Sequence, residues 1–247
     1  AQNVAQACVL LIGLAFKDHT GLSVYPLSPV EILYVIMVTT GLPAMGLGME
    51  LAAPDIMEQK PNTSRLGIFS LEMLADLLAY GLWMAALCLG TYSLVVFRWG
   101  DGELGDNCND KYNDSCDTVY RGRGATFTVI TWFSLFLAWE VTNMRRSFFR
   151  MSHTAHWYNQ WLVDTWKNKF LFSCVVLGFF SVFPIVYIPG LNKVVFQHKG
   201  AEGWEWGIVF VATLMFFLGI EFYKWVKRAY LRRLARRKDE NTLHIVS

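Results

Sequence analysis

Charge is scarce in this chain. Asp, Glu, Lys and Arg make up 17% of its 247 residues, against 54% apolar residues and a mean hydropathy of +0.31. That balance excludes an ordinary soluble domain and points to a polytopic membrane protein. Catalytic apparatus is lacking too: there is no Gly-rich phosphate loop of the Walker type, and no nucleophile stands beside a base. His153 and His156 lie three apart near Arg150 while His19, His198 and His244 are scattered, too few together for a zinc site. The net charge of +2 makes no case for a nucleic-acid partner. There is no signal-peptide pattern and no initiator methionine, and the first residues are expected to lie inside a helix that begins earlier.

What the chain does have is apolar runs. Ala1 to Phe16 is apolar from Ala7 onward, but as a helix it would measure only about 24 Å, too short to span alone. Asn3 and Gln6, three apart, share a face of it and put two amides on one edge. Leu77–Phe97, Ala125–Met144, Phe170–Tyr187 and Gly207–Tyr223 read as full spans, the last flanked by Trp204, Trp206 and Trp225 as interface anchors. Glu72 and Asp76, one turn apart before the first of these, read as a solvated helix start favoured by the helix dipole.

One further span, Ser28 to Glu50, carries its own interruption. Ile32 to Met49 is uncharged, and Ser28, Pro29 and Glu31 form a capping-box start. Thr39-Thr40-Gly41-Leu42-Pro43 then places hydroxyls, a glycine and a proline where lipid favours leucine. Pro43 has no N–H, so the Thr39 carbonyl loses its helical partner. Gly41 and Pro43 are therefore expected to unwind the helix, leaving oxygens suited to a cation, unless neighbouring helices satisfy a simple kink.

The basic residues orient the bundle. One alternation of spans gathers 15 of the 22 Lys and Arg on the side of the C-terminal tail and leaves 7 on the other, making the tail, residues 224–247, cytosolic. The tail reads as a topology anchor or as a seat for anionic lipid. The acidic loop 98–124 then faces outward, where Cys108 and Cys116 are free to form a disulfide or remain thiols, and where Asn113 heads a glycosylation sequon. Asn62 heads another on the cytosolic side, where it would go unused.

Glu140 is the one charge in its span. A carboxylate there is costly and either faces a cavity or pairs with Arg145 or Arg146 near the interface. With Asn3, Gln6, Thr39 and Thr40 it would complete an oxygen-donor set from three helices, and one carboxylate among neutral oxygens leans toward a monovalent ion.

The order NVAQ (3–6), LSPVEILYVIMVTTGLPAMGLG (27–48), AAPDIM (52–57), LAWEVTNMRRSFFRM (137–151) and PIVYIPGLN (184–192) resembles the carboxyl-terminal membrane region of P-type cation ATPases. The fungal sodium-exporting pumps are the most similar class. The resemblance covers essentially all of residues 1–247 as one domain and implies an all-α membrane bundle made of the end of helix five and helices six to ten. It implies cation ligands at Asn3, Gln6, Thr39, Thr40 and Glu140, a plasma-membrane location, and sodium or potassium as cargo. ATP and magnesium would serve the catalytic domains, which would precede residue 1 in the same pump. Calcium pumps of the superfamily carry acids where this chain has Gln6 and Thr40. A calcium-pump fragment and a self-standing channel or scaffold are the alternative readings.

Overall fold

The computed structural model describes residues 1–49, 71–109, 112, 114–142, 166 and 168–246. The twelve uncharged residues Gln2–Gly13 form α1. Helix α2, Pro29–Val35, starts where the sequence marks it: Glu31 N–H donates to Ser28 Oγ at 3.2 Å and Ser28 N–H to Glu31 Oε2 at 2.7 Å, closing the capping box. The chain stays helical through a π-helix, Ile36–Gly41, into α3, Leu42–Gly48. Next come α4, Leu71–Ser93, which ends in a π-helix at Leu94–Trp99, and α5, Asp117–Val141. Then follow α6, Lys169–Tyr187, a π-helix at Leu191–Phe196, and α7, Gly203–Val246. Among the described residues, five runs are long and apolar enough to cross a membrane: Pro29–Gly48, Leu71–Trp99, Asp117–Val141, Lys169–Tyr187 and Gly203–Tyr230. Among the described residues there is no β-strand, only one isolated bridge, Lys17 to Ser23.

Helix α5 is the axis of the bundle, and nearly all of its length is buried. Its polar residues tolerate that place because each hydroxyl satisfies itself: Thr126, Thr128, Thr131 and Ser134 donate to the carbonyls four residues back at 2.7–2.8 Å. Aromatic stacking fixes its neighbours. Phe133 lies on Phe216 of α7 with centroids 4.4 Å apart, and Trp132 lies on Phe179 of α6 at the same separation. Such pairs add about 0.5–1.5 kcal/mol each beyond area burial. Helix α1 rests on α4 at Gly81, where a methyl group would come within 2.9 Å of the Ala1 carbonyl and Val4.

One boundary differs from the sequence expectation. Helix α5 begins at Asp117 instead of Ala125, because the charges that suggested a loop are paired: Lys199 reaches Asp117 at 2.5 Å, and Arg121 bridges Asp117 and Glu202. Arg123, fully buried, donates to the carbonyls of Tyr25 and Cys108 and to Asn109 Oδ1. Helix α7 runs on without a break through the basic tail. The cluster Arg145, Arg146 and Arg150, the sequon residues Asn62 and Asn113, and residues 157–165 lie outside the described residues.

Candidate cation site

The interruption in the second span is a change of helical pitch, not the unwinding expected at Gly41 and Pro43. The π-helix widens the turn just before Pro43, so the proline's missing N–H is absorbed by i→i+5 geometry without opening the backbone. Thr39 is buried on this wide turn, and its hydroxyl donates to the Val35 carbonyl at 2.5 Å, which leaves the oxygen lone pairs free to accept. Thr40 lies on the surface of the chain and donates to Gln2 Oε1 of α1 at 3.0 Å, while Gln2 Nε2 approaches the Val35 carbonyl at 3.5 Å. The start of α1 and the π-helix thus meet through amides, hydroxyls and a carbonyl. Gln6, one turn further along α1, is buried, and its Nε2 has no hydrogen-bond partner among the described residues. Asn3 lies on the surface. Gln2 escaped the sequence reading, although its spacing of four from Gln6 places both on one helix face.

Glu140 is placed differently. Its carboxylate forms an ion pair with Lys224 of α7, and Lys224 Nζ also donates to the Glu140 carbonyl at 3.1 Å. Both side chains are 1% exposed. Neither Arg145 nor Arg146 is needed to explain its charge. Tyr80 of α4 meets the ring of Tyr223, next to Lys224, with centroids 5.3 Å apart, and the adjacent Gly81 is where α4 packs on Ala1 and Val4.

Asp76 departs from the solvated helix start read in the sequence. It is buried, accepts from Tyr223 Oη at 2.8 Å, and pairs with Lys227, which also reaches Glu72 at 2.9 Å. Charges on α7 draw the start of α4 inward. A second unread pair joins Glu31 Oε1 to His198 Nδ1 at 2.7 Å, both fully buried, so one carboxylate caps α2 and ties it to the segment before α7.

The loop opposite the α7 tail is tied together locally. Cys108 and Cys116 form a disulfide. Asp18 accepts from Thr20 N–H and Oγ1 and from Leu22 N–H at 2.6–2.9 Å, and from Asn107 N–H at 3.3 Å. These bonds, that of the Thr20 hydroxyl foremost, hold its carboxyl below the usual carboxylate range.

The family described as "Cation transporting ATPase, C-terminus" matches residues 24–226. Over 244 residues, 98% of this chain, the sequence is 48% identical to Sodium/potassium exporting P-type ATPase 5 of Saccharomyces cerevisiae. It is 39% identical over 245 residues to Sodium/potassium exporting P-type ATPase cta3 of Schizosaccharomyces pombe. Calcium-transporting ATPase 1 of Bacillus cereus is 24% identical over 204 residues, 82% of the chain. The chain spans about a fifth of these relatives, 21 to 23% of their length.

Proposed function

Because the chain belongs to the cation-transporting ATPase C-terminal family, we propose that it forms the ion-binding membrane portion of an ATP-driven pump that exports sodium or potassium. The observation that carries this reading is the meeting of α1 and the π-helix, where Gln2, Val35, Thr39 and Thr40 bring neutral oxygens together; one turn along α1, the buried Nε2 of Gln6 finds no hydrogen-bond partner among the described residues. Oxygen donors without a free carboxylate suit a monovalent cargo, whereas calcium is normally held by several carboxylates. Thr39 and Gln6 are the central ligands; Asn3 and Thr40 complete the set when the helices close on an ion. ATP and magnesium act on parts of the pump that this chain does not supply. In this reading the protein resides in the plasma membrane with the end of α7 in the cytosol, and the disulfide loop faces outward.

The test is a chimera in which this chain replaces the matching segment of the Saccharomyces cerevisiae relative, made in yeast lacking sodium exporters. The chimera should form a phosphoenzyme from ATP only with sodium or potassium present. Gln6→Leu and Thr39→Val should each raise the half-maximal sodium concentration about tenfold, as expected when one buried ligand is lost. A chimera that inserts and binds ATP but phosphorylates without regard to alkali ions would contradict the proposal.

A further inference from the structure

The neutral-donor site leaves one built feature unused, the pair between Glu140 and Lys224. Removing either side chain from this buried place would strand the charge of the other. The contact is also chelate-like. One ammonium sits on a carboxylate oxygen and on the backbone carbonyl of the same residue, two oxygens that a bare alkali ion would take in its place. The second carboxylate oxygen, Oε1, is buried and finds no donor among the described residues, so coordinating capacity remains.

We infer that Lys224 is a built-in counter-ion: its ammonium holds the place at Glu140 that a transported cation would otherwise take. Glu140 is thereby closed to cargo, and the ions carried are those held by the neutral donors of α1 and the π-helix. The inference rests on the ion-binding reading above and revises one member of the ligand set that the sequence suggested. Helix α7 repeats the device one turn on, where Lys227 answers Asp76 and Glu72. Spaced by three, the two lysines lie on one face of α7, directed at α5 and α4. The last helix therefore supplies fixed cations to the acids of its neighbours.

The same chimera tests it, with sodium bound per phosphorylation site counted with a radioactive tracer. Lys224→Met opens the carboxylate: bound sodium should rise by one, and the half-maximal concentration should fall about tenfold, the effect of a newly uncompensated buried charge. Lys224→Arg should match the parent. The double variant Glu140→Gln/Lys224→Met, with neither charge, should also match the parent in sodium count and concentration dependence. An unchanged sodium count in folded Lys224→Met would overturn the inference and leave the pair a structural clasp. Should Lys224→Met fail to accumulate, the double variant decides alone. Parent-like behaviour supports the counter-ion, and lost sodium dependence in a folded, ATP-binding double variant would make Glu140 a cargo ligand after all. A parent chimera indifferent to alkali ions would instead strike the proposed function, and the inference with it.

Discussion

At the residue scale, each buried charge among the described residues has a partner, and the partners differ in how far along the sequence they lie. Glu31 meets Ser28 three residues away, and that local half of its bonding is written in the Ser-Pro-x-Glu pattern. Its other oxygen meets His198, 167 residues on, where no local pattern can point. Glu140 shows the same limit: the nearby arginines were the partners a linear reading offers, but the structure chooses Lys224, 84 residues away. Asp18 is a local case with a pH consequence. Its folded carboxyl lies below the ordinary range, so its contribution to stability is complete above the unfolded carboxylate value and is lost as pH falls through the folded one. Asp18→Asn should therefore lower the melting temperature at neutral pH, and the difference from the parent should shrink toward zero in acid, as the folded carboxyl also becomes protonated. Thermal unfolding at neutral and at acid pH checks this, and a gap that persists in acid would assign the loss to geometry.

At the element scale, the π-helix at Ile36–Gly41 is where sequence and structure come closest without coinciding. Thr39, Gly41 and Pro43 announced a disturbed helix, but the sequence offered no means of choosing between a broken backbone and a widened turn. That choice depends on what packs around it, here α1 through Gln2 and α5 and α6 on the other side. The proline keeps the wide turn from closing. Pro43→Ala returns an N–H to the Thr39 carbonyl and should stabilise the helix by up to about 3 kcal/mol while rotating Thr39 away from α1. A higher melting temperature with a higher half-maximal sodium concentration is the expected pair of results. A rise in melting temperature with unchanged sodium dependence would show that the π-helix is only a packing solution.

At the scale of the whole molecule, the apolar runs made the number of spans legible, because length and the absence of charge are what a bilayer selects. The start of α5 was not legible: Asp117, Arg121 and Arg123 look like loop residues until their partners in the Tyr25, Asn109 and Lys199–Glu202 regions are seen. The orientation rests on the distribution of lysine and arginine and has a direct check. With the disulfide loop outward, Asn113 should carry a glycan and Asn62 none. Enzymatic deglycosylation should shift the protein on a gel, and Asn113→Gln should abolish the shift. A shift abolished by Asn62→Gln instead would invert the bundle.

Helix α7 has 44 residues, so it measures about 66 Å, roughly twice the hydrocarbon thickness it must cross. Lys224 and Lys227 clamp it to α5 and α4 near its middle and leave about 30 Å of rod beyond the clamp. Such a helix is a lever with its fulcrum at the two ion pairs. A tilt of about ten degrees, set by a rearrangement of a few ångströms at the fulcrum, would sweep the far end through about 5 Å. The state of the two ion pairs would then be readable from outside the membrane as motion of a helix end.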